Sequence, residues 1–315
     1  MPEVGPGARA YDVHGMVVMS ALDLPFGPAA PGRSTDWTVE AGAPQEWLDP
    51  DSLDGEVLAA MEYAPGFYAR HVVDGATTVS SYSTYGQLHL RGDRVRAVPG
   101  PDGDEAWLRT FLAANYPAFL LLLGGRVPLH GSAVEVPGTG RVAVVMGPPG
   151  SGKTTVGAGL VAVGGRLLSD DVVSLCRRDD RWCVEPGARV LRLRRPAEEL
   201  ADRGPVATSA DGRSTVDLRG EPLEPMPLGW IVRPSLDPAA TAFTSTRVGP
   251  VESFQVLATD PRVKGLEDPT WVRRAVETAA AVSREVPVVV VQVPFAEVVL
   301  ADIGAGVAAC LEEIG

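Results

Sequence analysis

Residues 147–154 read GPPGSGKT, a G-x-x-x-x-G-K-T string that directly follows the apolar run VAVVM and opens into VGAGLVA. Each residue type in it answers a requirement of anion binding. Glycines let the backbone from Gly147 through Pro148, Pro149, Gly150, Ser151 and Gly152 curl so that its available N–H groups face inward as a nest. A helix beginning at the end of the string adds the positive end of its dipole. Lys153 brings a compact cation to the β- and γ-phosphates of a bound nucleotide, Thr154 offers a hydroxyl to Mg2+, and Thr155 continues the phosphate-binding turn. The predicted ligand is ATP or GTP with Mg2+. Many reactions share such a loop, so the loop alone does not name the chemistry.

Of the 28 basic residues only Lys153 and Lys264 are lysines. A chain that otherwise writes its cations as arginine, yet places lysine at 153, marks a position that wants a point charge and not a planar guanidinium.

The next residues able to do chemistry are Asp170 and Asp171, in LLSDDVV at 167–173. One helix, 153–163, separates the strand 142–146 from the strand 166–169. The two strands are therefore expected to run parallel as a right-handed crossover unit, with their carboxyl ends on one edge of the sheet. Both aspartates then face the phosphate crevice. Successive side chains of extended chain point opposite ways, so the pair divides its work: one carboxylate holds Mg2+, the other accepts the proton of an incoming hydroxyl. His130 joins them by register. If PGTG at 137–140 is a tight turn, cross-strand partners sum to 277 and His130 falls opposite Gly147. The absence of N-K-x-D, L-S-G-G-Q and a D-E pair after a long strand argues against GTPases, transporter ATPases and AAA-type machines.

The elements that must hold these residues follow an α/β pattern from 127 onward: strands 127–136 and 141–146, helix 153–163 stopped by Gly164-Gly165, a short strand, and a hairpin over 172–186 with Cys176 and Cys183 on its two arms. A polar stretch, 196–227, reads as loop with short elements. It is followed by a strand at 228–234, a helix at 268–285, a strand at 287–294 and a helix at 295–314. Before this, residues 1–100 read as strands at 8–22, 35–42, 67–75 and 86–100, with a hairpin at RGDR. A helix follows over 104–123. The expected division is thus a β-rich domain, 1–100, suited to recognising a partner, and a P-loop domain, 101–315, with a mixed sheet and flanking helices.

With 45% hydrophobic residues the chain can bury a large core, and a net charge of −12 disfavours nucleic acid and anionic membrane as partners. Three cysteines make no disulfide framework, and the four histidines and three cysteines show no zinc-ligand spacing. No signal-peptide pattern opens the sequence, and the apolar window 111–123 is too short to span a bilayer. The expectation is a cytoplasmic protein.

The stretch LHGSAVEV…VAVVMGPPGSGKTTVGAGLVAVGGRLLSDDVV resembles the catalytic domain of HPr kinase/phosphorylase. The shared features are the His-Gly before the hairpin, the P-loop, the short glycine-ended helix, the Asp-Asp pair and the interval from Lys153 to Asp170. Residues 185–193, 228–234 and 1–100 look like a looser HPr-kinase-like branch that includes lasso-peptide precursor kinases. The resemblance implies transfer of the γ-phosphoryl group of ATP or GTP to a serine or threonine hydroxyl of a peptide or small protein, with homo-oligomerisation left open. It implies His130 and Lys153 as catalytic, Thr154 as a Mg2+ ligand, Asp171 as the proton acceptor and Asp170 as its neighbour at the metal. No E-x-R-G-x-G segment follows the pair, and Glu185 is a weak substitute for the acidic contact it would supply. The absence of an R-P-G-R-N-like loop removes the grounds for reverse, phosphorylase activity and for HPr as acceptor. Arg213 is a candidate to steady the transferring group. Two other readings use the same core: a small-molecule hydroxyl kinase, and a non-catalytic nucleotide-binding regulatory module.

Overall fold

The structure is a computed structural model that describes residues 7–194, 197–208, 212–237, 239–294 and 299–314, and the side chains of these except 105–110 and 114. The chain divides into two compact units, 1–125 with 263–274, and 126–262 with 275–315. The helix at 105–123 therefore groups with the first unit, which runs past the expected break at residue 100 to residue 125. Residues 263–274 return to that unit from far down the chain.

The first unit is an eight-stranded sheet built from β1 (Arg9–Val13), β2 (Met16–Ser20), β3 (Trp37–Ala41), β4 (Glu56–Ala64), β5 (Phe67–Asp74), β6 (Thr77–Tyr82), β7 (Gly86–Arg91) and β8 (Arg94–Pro99), with α1 (Glu105–Leu123). The strand order is β1-β2-β3-β8-β7-β6-β5-β4. The expected hairpin at RGDR is present: Arg91 pairs with Arg94, and Gly92 takes the positive φ of 62° that such a two-residue turn requires. Two strands escape the sequence pattern. β4, EVLAAMEYA, is written largely in helix formers, and β6, TTVSSY, lacks an apolar run; both are held by their neighbours in the sheet. The His71 ring stacks on Phe119 of α1 at 4.4 Å between centroids and its Nδ1 lies 2.7 Å from Ser80 Oγ.

The second unit contains β9 (Gly131–Val136), β10 (Arg141–Met146), α2 (Lys153–Ala162), β11 (Leu167–Asp170), β12 (Ser174–Arg178), β13 (Arg181–Glu185), β14 (Val190–Leu193), β15 (Val206–Thr208), β16 (Ser214–Asp217), β17 (Met226–Asp237), β18 (Thr244–Arg247), α3 (Pro250–Thr259), the second part of α4 (Pro269–Glu285), β19 (Val288–Pro294) and α5 (Leu300–Ile314). Its main sheet runs β11-β9-β10-β17-β13-β12, and β19 joins the far half of β17 with β18 beyond it. The sheet is mixed: β10, β17 and β19 are parallel, while β9 is antiparallel to both β10 and β11. β14, β16 and β15 form a separate small sheet, with β15 and β16 inside the stretch 196–227 predicted as loop with short elements and β14 just before it. β18 and α3 occupy a stretch in which no element was expected, and residues 295–298, the predicted start of the last helix, lie outside the described residues.

Alternation along the strands divides the core between two faces. Ala143, Val145, Trp230 and Val232 pack with α2 and α5, whereas Val142, Val144, Met146 and Ile231 pack with α3 and the later turns of α4. A sheet covered on both faces needs apolar residues at every position, which is why VAVVM shows no polar alternation. Two glycines of α2 serve packing. A Cβ at Gly157 would fall 2.5 Å from Ser132 Oγ, and Gly159 meets Gly304 of α5 so closely that a Cβ at 304 would fall 2.0 Å from the Gly159 carbonyl oxygen. Among the described residues no helix is long and apolar enough to cross a membrane.

Candidate active site

The string 147–154 folds as its residue types demand. β10 ends at the fully buried Met146, and Gly147, Gly150 and Gly152 take φ values of 145°, 86° and 90°, in the region glycine reaches without strain. Gly152 caps α2 with backbone alone: its carbonyl accepts from the Val156 N–H at 2.8 Å, and it offers no side chain to the first N–H groups of the helix. Those donors, the helix dipole and the curled loop fit a phosphate group. Lys153 Nζ is held over the loop, donating to the carbonyl oxygens of Gly147 at 2.5 Å and Pro148 at 3.3 Å. Thr154 and Thr155 stand half-buried in the first turn of α2.

The carboxyl ends of β10 and β11 do share one edge, but by a different route from the one expected. They are parallel because both are antiparallel to β9, which lies between them. The register is the predicted one: Arg141 pairs with Val136 and Met146 with Gly131, so His130 continues into the place opposite Gly147. On the other side of β9, Asp170 pairs with Ser132. The loop, His130 and the aspartates are thus set along one edge by strand order alone.

The two aspartates have different surroundings. Asp170 is buried, with its N–H bonded to the Ala188 carbonyl at 3.0 Å. Burial, reinforced by the charge of Asp171, pushes its carboxyl up to about 7, against weaker opposing contributions that include His130 and the Arg192 backbone N–H. Asp171 turns the other way. Its φ is 71°, and the Val172 N–H bonds back to the Asp170 carbonyl at 2.9 Å, the hydrogen-bond pattern of a γ-turn with positive φ. Such strain in a non-glycine residue is held only where surrounding contacts fix it. Here they do: Asp171 Oδ2 accepts from Arg262 Nη2 at 2.9 Å, and Oδ1 lies 3.2 Å from His130 Nδ1. Burial pushes the Asp171 carboxyl up, but Arg262 and His130 outweigh it and hold the group well below the usual carboxylate range. His130 Nδ1 also lies 3.2 Å from the Asp171 carbonyl oxygen. Both neighbours are acceptors, which assigns the proton to Nδ1.

Arg262 was not foreseen. Leu129 bridges to Val173 on one side and to Pro261 on the other, and the Arg262 N–H bonds to the Pro128 carbonyl at 3.0 Å. This three-segment contact brings the guanidinium to Asp171, and nothing local in DPRVKG signals it. Glu185, by contrast, sits opposite Ser174 on the hairpin and faces Cys176, whose thiol is pushed up to about 12 by burial and then by Glu185 itself. Arg213 immediately precedes β16 in the small sheet. Among the described residues no three His, Cys, Asp or Glu side chains are grouped to hold a metal. The oxygen donors offered along the edge, Thr154 with one or two carboxylates, suit a Mg2+ ion whose other ligands are phosphate oxygens and water.

No family model matches the chain, and no curated protein matches it. Among solved structures it is similar to the Hpr(Ser) kinase/phosphatase from Coxiella burnetii, at 10% identity and a TM-score of 0.29, over 59% of this chain and 95% of that one. That likeness is too loose to bear on the chemistry.

Proposed function

We propose that the chain is a kinase that transfers the γ-phosphoryl group of ATP or GTP to a serine or threonine hydroxyl of a peptide or small protein. The observation that supports this most is the placement of an ionised carboxylate, Asp171, fixed by His130 and Arg262, on the sheet edge that also carries the phosphate loop. A loop that only bound nucleotide would have no need of a strained, doubly anchored carboxylate beside it.

In this reading the N–H groups of the loop and Lys153 hold the β- and γ-phosphates. Thr154 and Asp170 would hold Mg2+, which neutralises charge that develops on the transferring group. Asp171 keeps a free lone pair on each oxygen besides those engaged by His130 and Arg262, and accepts the hydroxyl proton. As the acceptor oxygen bonds to the γ-phosphorus, the bond from that phosphorus to the β–γ bridging oxygen breaks and the diphosphate leaves. Phosphoryl transfer of this kind has a loose transition state, so a weakly basic but well-placed carboxylate suffices. Arg262 and His130 act on Asp171 as positioning residues.

The test is transfer of label from γ-labelled ATP with Mg2+ to an array of serine- and threonine-containing peptides. Label on a peptide hydroxyl supports the reading. Consumption of a small metabolite with no labelled peptide would give a small-molecule kinase, and nucleotide binding with no transfer at all would give a regulatory module.

A further inference from the structure

Along the site edge the strands run β11, β9, β10, β17, β19. The proposed metal ligand Asp170, the proton acceptor Asp171 and its positioning residues His130 and Arg262 all lie on the β9 and β11 side of the loop. A nucleoside triphosphate held by its β- and γ-phosphates in that loop must lead its α-phosphate, ribose and base away from them, toward β17. There the sheet rises past the loop. Pairing of β17 with β10 ends at Val145 and Val232, whereas pairing with β19 continues to Asp237 and Pro294, so residues 234–237 project beyond the end of β10 at Met146.

Leu236 stands on this projection. Alternation from Val232, which packs with α2, puts Leu236 on the α2 face. A Cβ on Gly152 would lie 3.6 Å from Leu236 Cδ2, so the leucine rests against the residue that opens α2. Its side chain is nevertheless 38% exposed. A lone exposed leucine needs no explanation. This one occupies the side of the phosphate loop opposite the aspartates, where an aromatic base requires an apolar surface. Mostly apolar pockets with few polar anchors are the usual form of such sites.

We infer that Leu236 is a binding residue for the base of the nucleoside triphosphate, lying beneath it as the β17 projection passes the loop. The inference rests on the reading of the loop as a nucleotide site. Calorimetric titration separates the two, with Mg2+-ATP and with Mg2+-tripolyphosphate, which has the phosphates but no base. Leu236→Ala is expected to weaken ATP roughly tenfold, in keeping with partial loss of one buried leucine, and to leave tripolyphosphate unchanged. Leu236→Phe, which keeps an apolar face, is expected to restore ATP affinity. Equal effects on the two ligands, or none on either, would overturn the assignment of Leu236 while leaving the nucleotide site standing. Failure of the unaltered protein to bind either ligand would overturn both.

Discussion

Arg262 Nη2 donates to Asp171 Oδ2 across 2.9 Å, joining residues 91 positions apart in the chain. The pair keeps a carboxylate ionised at a place where burial alone would favour its protonated form. If that ionised, oriented carboxylate is what the site is built around, removing its partner should damage turnover and spare nucleotide binding. Arg262→Ala is expected to lower the rate of phosphoryl transfer by about 10²–10³, the cost typical of losing one preorganised charged donor, with nucleotide Kd little changed. Arg262→Lys should recover only part, because a point charge does not reproduce the directed guanidinium hydrogen bond. A variant with Arg262→Ala and an unaltered rate would refute the positioning role.

Asp170 gives a pH signature. Its carboxyl, pushed up to about 7, must lose its proton before it can bind Mg2+. Mg2+ affinity of the nucleotide complex should therefore weaken as pH falls below 7, by roughly tenfold per unit at the limit, and level off above 8. Titrations at pH 6 and 8 check this. Asp170→Asn should give weak and pH-independent binding. Tight binding that ignores pH in the unaltered protein would remove Asp170 from the metal site.

Much of this site is legible from sequence because it is built from local rules. GPPGSGKT is self-sufficient: its glycines, lysine and threonine need only a strand before and a helix after. The place of His130 follows from counting across the PGTG turn, which fixes register without knowledge of any other element. Arg262 is different in kind. It reaches Asp171 through backbone pairing of Leu129 with both Val173 and Pro261, a contact among three distant segments that no window of sequence contains. The return of residues 263–274 to the first unit, after 137 residues of the second, is likewise written in no single window of sequence. In β4, helix-forming alanines and glutamates are overruled by pairing with β5 at seven of its nine residues.

The crossing of α2 and α5 predicts a packing defect on demand. Gly304→Ala would place a methyl group 2.0 Å from the Gly159 carbonyl oxygen, a backbone atom that cannot turn aside. A loss of about 2–3 kcal/mol is expected, the upper part of the range for overpacked cores. The midpoint of urea denaturation measures it. An unchanged midpoint would mean that the helices do not meet there.

His71 sets a stability limit in the first unit. Burial lowers its pKa to about 3, below the 6.5 of an exposed imidazole, so the folded state holds the neutral ring. Stability from this source is complete above pH 6.5 and is lost as pH falls from 6.5 toward 3, where the unfolded chain binds the extra proton. Between pH 6.5 and 5 the loss is about 2 kcal/mol. Denaturation of the unaltered protein and of His71→Phe at pH 7.5 and 5 isolates it. The variant should lose less on acidification, and equal losses would contradict a buried neutral His71.

The central claim concerns Asp171, and one paired measurement addresses it. Single-turnover transfer of γ-label to a peptide acceptor, and nucleotide Kd by calorimetry, should be determined for the unaltered protein and for Asp171→Asn. A carboxylate that accepts the hydroxyl proton predicts transfer reduced by about 10²–10⁴ with Kd within a few-fold of the original. Undiminished transfer, or a loss of transfer matched by an equal loss of nucleotide affinity, would contradict it.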